Sequence, residues 1–163
     1  MIIFINGSRN AGKTTTASLL ASKLPNSAHI DIDTFRGFFP TTHWEETIPW
    51  NLELAFLATR YLVATKLHVI LNYPLRKQDH YFVRKLRTLK TPVYLFTLKP
   101  NLKVALSKRG SRIPTLNDKK RIRAHYNQTS AHYLPELGTV IDNHDKPATE
   151  VVKIILDLIK KKS

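Results

Sequence analysis

Near the start of the chain, glycine, lysine and threonine occur at the spacing of a phosphate-binding loop. Residues 7–14 read Gly-Ser-Arg-Asn-Ala-Gly-Lys-Thr and match the pattern G-x-x-x-x-G-K-[ST]. The segment lies between an apolar run and a helical pattern, so its backbone N–H groups can converge on phosphate oxygens at the positive end of a helix. Lys13 can then reach the β- and γ-phosphates, and the Thr14 hydroxyl can ligate magnesium. The motif predicts a site for ATP and Mg²⁺.

Two aspartates, Asp31 and Asp33, follow the next apolar run. Alternate residues of a strand share a face, so both carboxylates can point toward the phosphate loop. One carboxylate can hold magnesium through water, while the other accepts the proton of an acceptor hydroxyl. Asp33 could instead cap a short helix over residues 34–38, a role that does not exclude catalysis. The pair favours phosphoryl transfer to a hydroxyl group.

With these residues the chain resembles the small P-loop kinases, notably the shikimate kinase-like group and the chloramphenicol phosphotransferases. The resemblance covers nearly the whole length. It rests on the phosphate loop, on Asp31-Ile32-Asp33, and on Leu-Ser-Lys-Arg-Gly-Ser-Arg at residues 106–112. It implies that Asp33 is the base and that Asp31 assists Thr14 at magnesium.

The segment 106–112 resembles the arginine-bearing lid of such enzymes. The resemblance implies that Arg109 and Arg112 clamp the phosphates, because a planar guanidinium can meet two phosphate oxygens at once. Gly110 between them permits the turn and hinge that lid closure requires. On a basic chain either arginine could also lie on a solvated surface. The predicted catalytic residues are Lys13, Asp33, Arg109 and Arg112.

After the last predicted strand comes a polar segment, residues 142–147, which packs against adenine in the look-alike kinases. Pro147 could also do no more than start the last helix. The residues predicted to bind the nucleotide are Gly7, Ser8, Arg9, Asn10, Ala11, Gly12, Lys13, Thr14, Thr15, Arg109, Lys146 and Pro147.

Asn72 stands where many relatives carry an acidic residue and where shikimate kinases carry glycines, which argues against shikimate as the acceptor. Its amide can bind water or a hydroxyl but supplies no negative charge to magnesium. The aromatic segment within residues 34–66 lies where these kinases build the acceptor pocket. Trp44 and Trp50 could form pocket walls there or simply pack the following helix. The residues predicted to contact the acceptor are Asp33, Arg36, Asn72 and Arg76.

The elements that must position these residues alternate between strands and helices. Apolar runs predict strands at residues 2–5, 29–32, 68–71, 93–98 and 139–141. Helical patterns cover residues 13–24, 50–66, 76–89, 102–109, 118–133 and 147–161. This order predicts an α/β fold, the three-layer P-loop NTPase type, with about five parallel strands and helices on both faces. We expect a single domain over residues 1–163, with a short lid at about 109–123 and an acceptor-side insertion at about 34–66.

Composition limits the partners. The 163 residues carry a formal charge of +14 and no cysteine, which favours anionic ligands and excludes disulfides and thiolate metal sites. The seven histidines form no metal-spaced set, although His125 and His132 are expected on one helix face. No apolar run approaches the length of a membrane span, and the cytoplasm is the expected compartment. The oligomeric state is not encoded in any recognisable pattern.

The leading hypothesis is an ATP-dependent phosphotransferase acting on a hydroxyl of a metabolite or antibiotic. A nucleoside, nucleotide or polynucleotide kinase is a second possibility, suggested by the charge and by basic residues after Asn72. A nucleotide-binding switch or nucleic-acid-binding module without transfer activity is a third, although no guanine-specific N-K-x-D motif is present. Tight ATP binding without transfer would favour the third possibility.

Overall fold

Five parallel strands form one sheet. The computed structural model describes residues 1–109 and 113–161, and its strands run in the order β2-β3-β1-β4-β5. The parallel five-stranded sheet predicted from the apolar runs is confirmed. The strands are Ile2–Gly7 (β1), Ser27–Asp31 (β2), His68–Asn72 (β3), Val93–Leu98 (β4) and Thr139–Ile141 (β5).

Helices cover both faces of this sheet, as predicted. Ile2 and Phe4 of β1 pack toward one side, while Ile3 and Ile5 pack toward the other, because successive side chains of a strand alternate between faces. Helices α2 and α3 bury their apolar residues against the first side, and α1 and α6 against the second. The helices are Lys13–Lys23 (α1), Ile48–Ala64 (α2), Tyr81–Arg87 (α3), Leu102–Ala105 (α4), Leu116–Tyr126 (α5) and Ala148–Lys160 (α6).

The strand register brings the polar strand ends together at one edge of the sheet. Gly7 at the end of β1 is level with Leu98 of β4, and Asp31 at the end of β2 is level with Asn72 of β3. Parallel strands end at the same edge, so the loops that follow β1, β2 and β3 converge there.

The helix predicted over residues 76–89 is wrong in its first part. A short 3-10 turn spans Lys77–Asp79, and α3 begins only at Tyr81. The Arg76 side chain bonds to the Asp79 carboxylate, with Nε to Oδ2 at 2.8 Å. This local side-chain pair accompanies the turn where the continuous helix was expected.

Two other predicted helices are too long. α4 ends at Ala105 instead of continuing to 109, because the Asn10 side-chain amide donates hydrogen bonds to the carbonyl oxygens of Ala105 and Ser107. α5 ends at Tyr126 instead of 133, since Asn127 is extended and a further helical turn cannot follow. His125 and His132 therefore do not share a helix. No helix among residues 1–109 and 113–161 combines the length and apolarity that a membrane crossing needs.

Candidate active site

The phosphate loop links β1 to α1 and needs glycine at both ends. Gly7 has φ of 147°, and a Cβ there would lie 2.6 Å from the Leu98 carbonyl oxygen. Gly12 has φ of 88° and precedes the first helical residue, Lys13. Residues other than glycine rarely adopt these φ values, so the backbone conformation of the loop requires glycine at both positions. The loop wraps the positive end of α1.

Two side chains at the start of α1 are anchored by oxygen atoms. The Lys13 ammonium donates to the Ser8 carbonyl at 2.8 Å, so this side chain lies across its own loop. The Thr14 hydroxyl donates to Oδ2 of Asp31 at 2.9 Å. The loop, α1 and the end of β2 thus meet at one point.

Asp31 and Asp33 have different surroundings. Oδ1 of Asp31 accepts from the Asp33 N–H at 3.2 Å and caps the 3-10 segment Ile32–Phe38. Asp31 is the cap, so the alternative that assigned a cap to Asp33 is wrong. Asp33 is open to solvent, yet the protein atoms crowded around it raise its pKa, and the nearby Lys13 partly offsets that rise. The Asp33 carboxylate is left facing the cavity.

Asn72 is held in one orientation by its neighbours. Its Nδ2 donates to the Thr14 hydroxyl at 3.3 Å, and its Oδ1 lies 2.5 Å from Nε2 of His29. His29 on β2 was missed by sequence reasoning, and its position two residues before Asp31 on the same strand face is the signal that could have found it. The order His29, Asn72, Thr14, Asp31 forms a continuous chain of hydrogen bonds.

Oxygen atoms of Thr14 and Asp31 have the chemistry that Mg²⁺ prefers, so these residues fit the magnesium expected beside a phosphate loop. Within the described parts of the chain, no group of three or more histidine and acidic side chains is arranged to hold a metal by itself. A magnesium ion here would share ligands with the phosphates.

Arg109 lies over the phosphate loop. Its guanidinium donates to the Asn143 carbonyl at 3.2 Å and to the Asn10 carbonyl at 3.5 Å, and it lines the same cavity as Lys13. Arg112 and the hinge expected at Gly110 lie outside the described residues.

α5 is tied to the phosphate loop through Arg9. The Arg9 N–H donates to Nδ1 of His125 at 3.2 Å, and the guanidinium pairs with the carboxylate of Asp118, which is buried. Burial, assisted by Lys13, lowers the pKa of His125 to about 3, so its ring is a neutral acceptor. Arg9, expected to bind nucleotide, is thus engaged by α5 as well as placed on the cavity wall.

The loop after β5 closes the cavity on the side of α6. Asn143 is buried and its Nδ2 donates to the Ala11 carbonyl at 2.9 Å. Pro147 precedes the first residue of α6 and also lines the cavity with Lys146. Pro147 therefore starts the last helix, and its packing against adenine stays a prediction.

On the opposite side, the two tryptophans have separate roles. Trp44 lines the cavity, and the Arg121 guanidinium carbon lies 4.5 Å from the centre of its ring. Trp50 packs on Phe39 with ring centres 5.0 Å apart and lies outside the cavity wall. The aromatic segment therefore supplies both a pocket wall and packing.

The phosphate loop, the loop after β5 and Trp44 all line one cavity of about 840 Å³. Four predicted site residues in the described part of the chain do not line it: Gly7, Ser8, Ala11 and Asp31. The predicted residues on the wall are Arg9, Asn10, Gly12, Lys13, Thr14, Thr15, Asp33, Arg36, Asn72, Arg76, Arg109, Lys146 and Pro147.

The first 49 residues match a known family. A family model described as Zeta toxin matches residues 1–49, which contain β1, the phosphate loop, α1, β2 and both aspartates. None of the curated protein sequences matches the chain.

Solved structures match over nearly the whole chain. The tunicamycin resistance protein of Deinococcus radiodurans has a TM-score of 0.70 at 22% identity, covering 97% of this chain and 94% of its own. The APS kinase of Mycobacterium tuberculosis, solved with AMPPNP and APS, has a TM-score of 0.70 at 17% identity, with 98% and 96% covered. The shikimate kinase of Aquifex aeolicus has a TM-score of 0.60 at 19% identity, with 99% and 98% covered.

The chain has the fold of a small P-loop kinase.

Within this P-loop kinase fold, several wall residues were missed by sequence reasoning. Tyr73 follows Asn72 directly and is buried, and Asn143 follows β5. Both positions lie just after strands, where ligands bind in α/β sheets, and that rule could have selected them. Lys120, Arg121, His125 and His132 come from α5 and the turns after it. No local pattern marks those four.

Proposed function

We propose that the chain is an ATP-dependent phosphotransferase that moves the γ-phosphoryl group to a hydroxyl of a small molecule. The observation that carries this proposal is the common cavity: a complete phosphate loop with Lys13 and a free-standing carboxylate, Asp33, face the same space. The similarity to an APS kinase solved with AMPPNP and APS, and to a shikimate kinase, supports a nucleotide donor and a small acceptor.

The donor half is the side of the cavity between the phosphate loop and α6. Backbone N–H groups of the loop and the Lys13 ammonium would bind the phosphates, and Lys13 would exchange its Ser8 partner for phosphate oxygens. Arg109 already lies over the loop and would meet the γ-phosphoryl oxygens, a role also proposed for Arg112. Lys146 and Pro147 would flank adenine.

Thr14 and Asp31 would hold magnesium, and Asn72 would orient a water beside it. When bound, the ion neutralises charge on the β- and γ-phosphates.

Asp33 would act as the base. Its raised pKa makes the carboxylate a better proton acceptor than an ordinary aspartate, while Lys13 helps keep it ionised. The acceptor O–H proton goes to Asp33, and the hydroxyl oxygen forms a bond to the γ-phosphorus. The bond from that phosphorus to the bridging oxygen breaks, and ADP leaves with the electron pair.

Transfer from labelled ATP across a panel of hydroxyl compounds tests the proposal. Asp33→Asn should lose at least about 100-fold in transfer while still binding ATP, because only the proton acceptor is removed. Lys13→Ala should lose both transfer and ATP binding, measured with a fluorescent ATP analogue. Asp157→Asn and Lys23→Ala, on exposed positions away from the cavity, are the matched controls.

Full transfer activity in both Asp33→Asn and Lys13→Ala would refute the assignment. Tight ATP binding by the wild type with no transfer to any acceptor would favour a nucleotide-binding switch instead. A steep fall of acceptor binding with rising salt would point to a polynucleotide.

A further inference from the structure

The cavity wall is strongly cationic. In the described part of the chain, Asp33 is the one acidic side chain on the wall. The wall cations are Arg9, Lys13, Arg36, Arg76, Arg109, Lys120, Arg121 and Lys146. In the proposed function, the cations near the phosphate loop and α6 bind the phosphates of ATP. The cations around Asp33 and Trp44 remain without an assigned ligand.

Among these remaining cations, Arg76 is held in a fixed position by a neighbouring carboxylate. Its side chain is only 12% exposed and that of its partner Asp79 only 7%, with Nε to Oδ2 at 2.8 Å and a second contact at 3.4 Å. Two contacts to one carboxylate fix the plane of the guanidinium. With the Gln78 amide turned so that its oxygen faces Arg76, that oxygen accepts from Nη2 at 2.8 Å and from Nη1 at 3.3 Å. Arg76 also lines the cavity, so Asp79 and Gln78 hold the guanidinium in place and leave one Nη1 hydrogen for a ligand, at little further cost in side-chain entropy.

Arg36 stands beside the proposed base. It follows Asp33 by three residues in the 3-10 segment Ile32–Phe38, and residues three apart in such a helix project in the same direction. Tyr73 is buried, and this burial raises the pKa of its hydroxyl although the nearby Arg76 and Arg36 partly offset the rise, so the hydroxyl stays a donor. Arg36, Tyr73 and Arg76 offer donors to one ligand group next to Asp33.

Arg121 adds positive charge from the α5 side. Its guanidinium is held 4.5 Å from the Trp44 ring centre, and both residues line the cavity. A cationic acceptor would be repelled by this wall, whereas an anionic one would be attracted to it.

We infer that the acceptor carries an anionic group, a phosphate, sulfate or carboxylate, in addition to the hydroxyl that is phosphorylated. Arg36 and Arg76 bind this anion beside Asp33, Asp79 is the positioning residue that orients Arg76, and Trp44 with Arg121 forms the opposite wall. The inference rests on the proposed function for the hydroxyl and for transfer, while the anion seat itself stands on the geometry of the arginines.

Binding is tested first, independently of transfer. The full chain is saturated with AMPPNP and magnesium, so that the phosphate loop is occupied, and sodium sulfate is titrated against sodium chloride at constant ionic strength. The midpoint of thermal unfolding, Tm, should rise saturably with sulfate. Arg36→Gln should weaken this sulfate dependence by about tenfold or more, the usual effect of losing a charge-assisted hydrogen bond.

Arg76→Gln alone would leave Asp79 buried without its partner and could fail to fold. The double variant Arg76→Gln with Asp79→Asn removes both charges and should show the same loss of sulfate binding. Arg87→Gln is the matched control, because Arg87 is exposed and lies outside the cavity wall. Equal sulfate binding by the wild type, Arg36→Gln and the double variant would overturn the anion seat.

Transfer is then measured with matched acceptor pairs: nucleosides and sugars with and without a phosphate, and hydroxy acids with their amides. The anionic member should have the higher kcat/KM, by about tenfold or more, and Arg36→Gln should reduce this preference mainly through KM. The pair with the larger preference distinguishes a phosphate from a carboxylate. A consistent preference for the uncharged members would overturn the inference. Arginine-dependent sulfate binding without transfer to any acceptor would contradict the proposed function but would still support an anion site at Arg36 and Arg76.

Discussion

Asn72 joins His29 to Thr14 at the position where many small P-loop kinases carry a carboxylate. The amide forms a hydrogen bond with each neighbour: Oδ1 faces Nε2 of His29, and Nδ2 donates to the Thr14 hydroxyl. The cost is a missing negative charge beside the proposed magnesium ligands Thr14 and Asp31. Affinity for a hard cation rises with the number of charged oxygen ligands, so this site should bind magnesium more weakly than a site with an acid at residue 72.

Asn72→Asp tests that expectation. The aspartate keeps an acceptor for His29 and adds charge near Thr14 and Asp31, so the magnesium concentration needed for half-maximal ATP-dependent stabilisation should fall by about tenfold. A magnesium titration of Tm at fixed ATP measures it. Asn72→Ala, which adds no charge, should not lower the requirement. An unchanged magnesium requirement in Asn72→Asp would contradict the role given to this position.

Two contacts through Arg9 link α5 to the phosphate loop. His125 accepts the Arg9 N–H, and Asp118 pairs with the Arg9 guanidinium while its side chain also accepts from the Thr115 N–H at the start of α5. The loop conformation therefore depends on a helix more than 100 residues away in sequence. Because His125 is neutral in the folded chain, protonation should break this link.

The free energy of unfolding should consequently fall in acid. His125 has a pKa of about 3 when folded and an ordinary value near 6.5 when unfolded, so only the unfolded state takes up this proton between those values. Between pH 7 and pH 5 the wild type should lose about 2 kcal/mol through this residue. Urea unfolding at the two pH values measures the loss.

His125→Gln retains an acceptor for the Arg9 N–H but has no ring to protonate. Its loss in the free energy of unfolding between pH 7 and pH 5 should therefore be smaller than that of the wild type by about 2 kcal/mol. His43→Gln, at an exposed position, should behave like the wild type. If His125→Gln and the wild type lost stability equally, the neutral, buried state of His125 would be wrong.

Much of the positive charge of the chain is gathered around one cavity. The chain carries +14, and eight of its cations line one cavity of about 840 Å³ among the described residues. Like charges gathered around a cavity repel one another, and an anionic ligand relieves that repulsion. Ligand binding should therefore stabilise the folded chain.

ATP with magnesium at about 100 times its Kd should add about 2.7 kcal/mol to the free energy of unfolding. For a chain of this size that corresponds to a rise in Tm of roughly 5–10 °C, measurable by calorimetry. Lys13→Ala should abolish the rise, and Lys23→Ala should keep it. A Tm unaffected by ATP in the wild type would contradict the nucleotide site.

Local patterns were enough to predict the architecture. Strand and helix periodicities depend on neighbours within a few residues, and β1, β4, β5 and α6 were predicted within one or two residues of their observed bounds. α6 illustrates the reason: Val151, Ile155 and Ile159 recur at helical spacing and are buried, together with Val152. The predicted bounds of α4 failed where a distant side chain, that of Asn10, bonds to backbone carbonyl groups at the end of the helix.

The phosphate loop could be predicted from a short stretch of sequence, because the two glycines and Lys13 are required by the local backbone and by the helix that follows. The sequence also determined that Asp31 and Asp33 lie at the edge where strands end. Contacts between distant segments brought Asp33, Arg76 and His125 to the wall of one cavity. Those contacts join residues far apart in the chain, and no local periodicity records them, since they depend on how helices pack on the sheet.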